Sequence, residues 1–344
     1  MIHMNKIKVG IIGYGRVGKT RRNIIENHPN LSLESICDIV KIDKEKENIK
    51  CDIYKDYNSL LNTDVDAVFI CTPNKFIPEI AIAALNKKKH IFCEKPPGRN
   101  VDDIKNIIKA QNKNKELKVK FGLNHRYHEG IIEAKSIVNN NRLGNILWIR
   151  GIYGKSGGNN FEKQWRSNKD IAGGGILLDQ GIHMLDLFRF FCGDFDEVKS
   201  FVTNSYWNID VEDNVFAIFR NKKNQMAMIH SSSTQWKHMF RLEIFMEKGY
   251  LIVTGILSST MSYGKENLII GKRQFENESF ALGNPREEII YFDADKSWKL
   301  EIDEFAECIL NNKSIINGTS NDALKVMKMI EKIYKNDKKW CNKI

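Results

Sequence analysis

No stretch of this chain stays apolar long enough to cross a membrane, so no membrane partner is expected. The first apolar run, Ile7–Ile12, is short and ends in glycines, which argues against a secretory signal peptide. Paired cysteines are lacking too. The seven cysteines (Cys37, Cys51, Cys71, Cys93, Cys192, Cys308 and Cys341) form no Cys-x-x-Cys motif and no Cys/His metal spacing. An odd, scattered set, several of them in strand-like apolar runs, fits small hydrophobes in a reducing compartment. A cytoplasmic protein without a metal site is the expectation. The net charge of +10 comes without a long basic run or a base-stacking motif. Its lysines are spread among Asn, Ile, Asp and Glu, which speaks against nucleic acid and leaves a mildly positive cleft for phosphorylated ligands. Internal repeats are absent.

The chain has 344 residues, enough for two domains with separate cores, and its 42% hydrophobic content is that of an ordinary globular protein. Ile7–Ile12 reads as a buried parallel strand and runs into Gly13-Tyr-Gly15-Arg16-Val17-Gly18, followed by a helix to about Asn27. Strand, G-x-G-x-x-G and helix in that order form a dinucleotide fingerprint, in which helix N-terminal amides face a pyrophosphate. A second strand, Leu31–Cys37, ends in Asp38. A carboxylate there accepts hydrogen bonds from ribose hydroxyls and repels a 2′-phosphate, favouring NAD over NADP; the alternative is an Asp that opens a turn. Asp66–Cys71 leads into Thr72-Pro73-Asn74, a turn at the carboxyl end of a strand, where open α/β sheets bind ligands. After a helix over Pro78–Leu85, the strand His90–Cys93 delivers Glu94-Lys95-Pro96-Pro97. Two prolines end regular structure there, and Lys95 on such a turn can stabilise negative charge on a substrate hydroxyl. Val119–Leu123 is a further strand ending at Asn124-His125-Arg126-Tyr127.

The glycine run Gly173–Gly175 opens a segment that stays apolar-periodic to Phe191 and stops at Gly193. On a regular helix Asp179 and His183, four residues apart, lie roughly 40° from each other on one face. The helix start favours the carboxylate and keeps the imidazole neutral, able to accept a proton. The plain alternative is a core helix with a capping Asp and a satisfied His.

Gly-x-Gly-x-x-Gly, Thr-Pro-Asn, Glu-Lys-Pro and Gly-Gly-Gly…Asp179-x-Gly181-x-His183, in this order, resemble the Gfo/Idh/MocA family over Ile7 to about Trp340. The resemblance implies an α/β protein: a dinucleotide-binding Rossmann domain, here 1–124, and a C-terminal α/β domain, 125–344, with a large open, mainly antiparallel sheet. It implies a nicotinamide cofactor, bound through Gly13, Gly15, Arg16, Val17, Gly18, Asp38, Thr72, Pro73, Asn74, Glu94 and Lys95. It makes Lys95, Asp179 and His183 the catalytic set, with no metal. It also implies a homodimer or homotetramer formed through the C-terminal sheet, where exposed Phe216, Met226 and Met228 would need cover.

The later sequence agrees with that architecture. Glu129–Asn139 reads as a helix, Ile146–Tyr153 as a strand, and Gly154–Gly175 as a long loop. Strand candidates follow at Val198–Tyr206, Asn214–Arg220, Gln225–Ser233, Arg241–Met246 and Tyr250–Thr254. Lys299–Asn311 and about Asp322–Tyr334 read as helices, the second N-capped by Thr319 or Ser320. The Trp165-Arg166 pair suits a sugar face and an anionic group, or anchors its loop. Together with the glycine run it resembles relatives acting on sugar nucleotides or sugar phosphates. Arg126, Lys155, Trp165 and Arg166, with Asp179 and His183, are the candidates for binding substrate. The expected activity is NAD-dependent oxidation of a secondary hydroxyl on a sugar derivative or polyol. Alternatives are an NAD-dependent glycosidase with transient oxidation, a non-enzymatic nucleotide-binding sensor, and reduction of an imine or enone.

Overall fold

The computed structural model describes residues 6–258, 260–274 and 286–343. In chain order these form β1 (Ile7–Ile12), α1 (Arg16–Glu26), β2 (Leu31–Cys37), β3 (Asp52–Tyr54), α2 (Tyr57–Leu61), β4 (Ala67–Ile70) and α3 (Ile77–Asn86). Next come β5 (His90–Cys93), α4 (Val101–Asn112), β6 (Val119–Phe121), α5 (Glu129–Asn139), β7 (Ile146–Gly154) and the short α6 (Lys169–Ala172). A π-helical turn, Leu177–Gly181, leads into α7 (Ile182–Cys192). The remainder is β8 (Glu197–Thr203), β9 (Asn214–Arg220), β10 (Met226–Ser232), β11 (Met239–Met246), β12 (Gly249–Thr254), β13 (Glu266–Lys272), β14 (Glu287–Phe292), α8 (Ser297–Leu310) and α9 (Ser320–Asn336).

Two compact units divide the chain, and the cut is discontinuous. The first comprises the residues up to Asn124 together with Asp170–Gly173 and Trp298–Leu324; the second comprises His125–Lys169, Gly174–Ser297 and Lys325 onward. Residues 298–324, which lie in the 125–344 stretch of the sequence reading, cluster with the first unit. The cause is packing: Ile302, Phe305 and Ala306 of α8 belong to the same core as Ile11, Phe69 and Phe92. The Phe305 ring stands edge-on to Phe69 and Phe92, with centroids at 5.7 and 5.6 Å, while those two stack at 4.9 Å. Such ring pairs add to plain area burial.

The first unit holds one parallel sheet in the order β3-β2-β1-β4-β5-β6. Its inner strands are almost wholly buried, as a sheet covered on both faces requires. The order reverses at β1, so the crevice beyond the carboxyl ends of β1 and β4 is the natural ligand position. Asn100 caps α4 by accepting the Asp103 N–H at 2.9 Å, and α4 turns Val101, Ile104, Ile107 and Ala110 inward.

In the second unit eight strands run β14-β13-β12-β11-β7-β10-β9-β8, antiparallel except for the β7–β10 pair. Alternation sorts the faces. Val215, Ala217 and Phe219 of β9 point to the core, while Phe216 and Ile218 point outward beside Met226, Met228 and Phe201. The inner face is covered by α5, the π turn and α7. Glu266 at the start of β13 ties α5 to the sheet: its carboxylate accepts the Gly130 N–H at 2.8 Å and meets His128 Nδ1 at 2.7 Å.

Candidate active site

In the first unit the glycine loop is shaped for close approach. Gly13 sits at φ +93°, and a Cβ there would lie 2.7 Å from the carbonyl carbon of Cys71; one on Gly18 would lie 2.1 Å from the Gly13 oxygen. Above Gly15, by contrast, a Cβ meets none of the described residues within 4 Å. Helix α1 starts at Arg16 with no side-chain cap and no acidic residue in its first turn, so its leading amides and positive dipole end are left for an anion. Arg16 is exposed there and Val17 half-buried.

Asp38 closes the same loop. Its two carboxylate oxygens accept the N–H groups of Tyr14 at 2.6 Å and Val40 at 2.8 Å. Each oxygen retains a lone pair for a ribose hydroxyl. At the end of β4 the Thr72 hydroxyl oxygen is buried without a hydrogen-bond partner among the described residues, which is the condition expected where a ligand supplies one. Pro73 follows, and the Asn74 amide donates to the Ala172 carbonyl at 2.7 Å. These features fit a dinucleotide.

Lys95 is half-buried at the tip of β5 and its bond to Pro96 is cis. The adjoining Glu94 turns inward. Its carboxylate accepts Arg21 Nε at 2.7 Å, and Arg21 Nη2 reaches Glu301 at 2.8 Å. Fully buried, the Arg21 guanidinium lies 4.3 Å from the Phe92 ring centroid and 4.4 Å from that of Trp298. Burial opposes its charge, but the two carboxylates more than restore it and hold Arg21 above its usual range. Glu301 is pushed up to about 7 by burial, against the pull of Arg21 and Lys120. Glu94, expected among the cofactor contacts, has its side chain in this internal strut.

The second unit carries the acid–base candidates. Gly175 lets the chain press against Glu212, where a Cβ would lie 2.1 Å from the Glu212 carbonyl oxygen. The buried Glu212 carboxylate accepts the Gly175 N–H (2.8 Å), the Leu177 N–H (3.0 Å) and the Tyr334 hydroxyl (2.7 Å). Burial raises its pKa. This anchor fixes the start of the π turn on which Asp179 stands. Because 177–181 are π-helical, the regular-helix angle between Asp179 and His183 does not apply: the wider turn re-aims Asp179 before α7 begins.

Asp179 accepts Lys155 Nζ at 2.5 Å on one oxygen and Arg166 Nε at 3.3 Å on the other. The Arg166 guanidinium also lies 4.3 Å over the Trp165 ring. Lys155, Trp165 and Arg166, chosen from an irregular loop, are thereby brought together with Asp179. His183 is buried and stacks on His125 with centroids 3.6 Å apart and planes at 18°. His125 Nε2 is 2.9 Å from the Tyr153 hydroxyl. Burial, with Tyr263 and Asp179 nearby, raises the Tyr153 pKa well above its usual value, so it stays protonated. Arg126 has a different place from the one expected. It is buried, and its Nε and Nη2 make a bidentate pair with Asp186 at 2.8 and 2.6 Å. That pair locks the residues after β6 to α7. Sequence reasoning missed Glu212, Arg21, Glu301 and Tyr153, whose roles depend on distant partners; His125, beside Arg126 in the strand-tip motif, was within reach.

Among the described residues no group of three or more His, Cys, Asp or Glu side chains is arranged to hold a metal, and no helix is long and apolar enough to cross a membrane. A parallel sheet with a dinucleotide loop, and a largely antiparallel sheet whose covering π turn and helix carry Asp179 and His183, define a two-unit dehydrogenase-type α/β fold. The chain belongs to the Gfo/Idh/MocA family: residues 7–122 match the oxidoreductase family with an NAD-binding Rossmann fold, and residues 131–252 match the GFO/IDH/MocA C-terminal domain. It is 32% identical to inositol 2-dehydrogenase of Salmonella typhimurium over 151 residues, 42% of this chain and 45% of that protein. The match therefore spans less than half the length of that curated relative. The oxidoreductase YrbE of Bacillus subtilis is 26% identical over 330 residues, 93% of this chain and 91% of that one. A solved levoglucosan dehydrogenase in complex with NADH superposes with a TM-score of 0.85, covering 97% of this chain and 98% of that one. At 20% identity that likeness is one of fold.

Proposed function

We propose that the protein is an NAD-dependent dehydrogenase oxidising a secondary hydroxyl of a sugar derivative: a sugar nucleotide, a sugar phosphate or a polyol. The observation that carries the reading is Asp179, gripped by Lys155 and Arg166, four residues ahead of the buried, ring-stacked His183. Names of relatives support the substrate class, since inositol is a polyol and levoglucosan a sugar derivative.

Bound nicotinamide supplies the hydride acceptor. Gly13, Gly15, Gly18, Asp38 and Thr72 would hold the dinucleotide; Asp38, beside a ribose, disfavours a 2′-phosphate and so NADP. His183 accepts the substrate hydroxyl proton at an imidazole nitrogen. Lys95 stabilises the negative charge that develops on that oxygen, and Asp179, fixed by two cations, orients the substrate. General-base help contributes about 10²–10⁴-fold and the electrostatic term about 10²–10³-fold. Lys95→Ala is accordingly expected to lower turnover, followed as NADH formation, at least about 100-fold. Near-full turnover in that variant would remove Lys95 from the mechanism.

The outward face of the second unit's sheet, with Phe201, Phe216, Ile218 and Met226 all more than half exposed, supports a homodimer or homotetramer. Light scattering that returns a monomer mass would contradict this.

A further inference from the structure

We propose that Tyr206, Trp207 and Trp236 form a shelf that receives a second ring carried by the substrate, beyond the ring that is oxidised. The inference rests on the dehydrogenase reading above. Tyr206 is 63% exposed and Trp236 58% exposed, and their rings meet nearly at right angles, 79°, with centroids 4.8 Å apart. Trp207 stands behind them, edge-on to Tyr206 at 5.0 Å and against Phe161 at 4.9 Å.

Two observations separate this group from scattered surface aromatics. The first is that the backbone beneath it is fixed. Asp213 is fully buried, and its carboxylate accepts the N–H groups of Ser205, Tyr206 and Trp207 at 2.7–3.2 Å. Trp207 Nε1 donates to the Ser233 carbonyl at 3.0 Å. The second is that Trp236 sits at φ +56°, a left-handed conformation that a bulky side chain rarely adopts. A large apolar residue held both strained and exposed serves neither packing nor solubility, and such strain concentrates at binding sites.

Continuity with Asp179 identifies the occupant as part of the same substrate. Trp207 lies over Gly157, two residues after Lys155, where a Cβ would come within 2.1 Å of its ring. On the other side His238, two residues after Trp236, packs edge-on against Tyr263 at 4.9 Å, and the Tyr263 hydroxyl donates to Gln180 Oε1, next to Asp179, at 3.3 Å. Lys163 and Lys237, close in sequence to Phe161 and Trp236, are exposed. Flat apolar ring faces suit a ring joined to the reacting sugar, through phosphates as in a sugar nucleotide or through a glycosidic oxygen as in a disaccharide.

The test is calorimetric titration of the full-length, NAD-saturated protein with free hexoses, the matching disaccharides and the UDP- or GDP-linked hexoses. Two-ring probes of at least one linkage should bind about ten-fold or more tighter than the free hexose. The linkage that gains affinity identifies the source of the second ring. Trp236→Asn and Trp236→Gly should abolish that advantage, leave hexose affinity unchanged, and keep or raise the melting temperature, since both residues tolerate the left-handed conformation. The proposal is overturned by equal affinity for one-ring and two-ring probes, by an advantage that survives in both variants, or by a marked loss of melting temperature in both. It is likewise overturned if the variants lower the assembly mass in light scattering and leave probe affinities intact, which would make the shelf a contact between copies. Failure of the dehydrogenase reading looks different: the two-ring advantage would persist with no NADH formed from any probe.

Discussion

Replacing Arg21 with methionine takes away the cation that Glu94 and Glu301 share inside the first unit. Both carboxylates are buried and each is hydrogen-bonded to the guanidinium. Methionine fills much of the space between Phe92 and Trp298 but supplies no donor. Removing one partner from a buried ion pair costs about 3–5 kcal/mol, because a charge is left uncompensated. For a unit of this size about 1 kcal/mol corresponds to roughly 2–4 °C, so the thermal midpoint should fall by about 6–20 °C. Differential scanning calorimetry on Arg21→Met measures this directly. Adding Glu301→Gln should recover part of the loss, since a buried carboxyl that must otherwise take up a proton is replaced by a neutral amide, and the double variant separates pairwise coupling from packing. A midpoint within about 2 °C of wild type would refute the reasoning and show that relaxation or water offsets the missing cation.

Three further outcomes follow from the same geometry. Glu301, with a pKa near 7 instead of its ordinary 4.5, binds more protons folded than unfolded between those values. Stability should therefore decline as pH rises from about 4.5 to 7, and urea unfolding of Glu301→Gln should show a flatter profile across that window. Gly18→Ala places a methyl 2.1 Å from the Gly13 oxygen, so the dinucleotide loop must open; NAD affinity should drop at least about ten-fold by fluorescence titration, and unchanged affinity would disconnect this loop from the cofactor. Asp38→Ser removes the carboxylate that takes the Tyr14 and Val40 N–H groups, and the ratio of NADP to NAD affinity should rise about ten-fold or more; a constant ratio would assign Asp38 to the turn alone.

Local signals made much of the fold readable. Strands Ile7–Ile12, Leu31–Cys37, His90–Cys93 and Asn214–Arg220 and helix Glu129–Asn139 have the bounds expected from their apolar patterns and flanking turn residues. The Thr319 hydroxyl accepts the Asp322 N–H at 3.0 Å while Asp322 bonds back to Thr319, the reciprocal arrangement a Thr before a helix suggests. Short or mixed patterns stayed hidden. Asp52–Tyr54 has too few residues for a period, α4 conceals its apolar stripe among Asp, Lys and Asn, and β14 carries no alternation because it is an outer strand with little burial.

The candidate site divides in the same way. Asp179, His183, Lys95 and the glycine loop could be singled out because their spacing is local. The partners that hold them could not. Arg21 lies 73 residues from Glu94 and 280 from Glu301, and Glu212 lies 37 residues beyond the Gly175 N–H it accepts. Nor does the sequence announce the π turn, at whose start the Glu212 carboxylate accepts the N–H groups of Gly175 and Leu177. Arg126 shows the same dependence: a guanidinium at a strand tip reads as a ligand contact, and its partner Asp186 lies 60 residues away.

The most direct test of the central claim is NADH formation, followed by absorbance, with purified protein and NAD across inositols, free sugars, sugar phosphates and nucleotide-linked sugars. His183→Ala is the control. The account predicts signal with one of these classes and a loss of at least about 100-fold in turnover in the variant, with NAD binding retained. Silence across the panel while NAD binds tightly, or a His183→Ala variant as active as wild type, would contradict it.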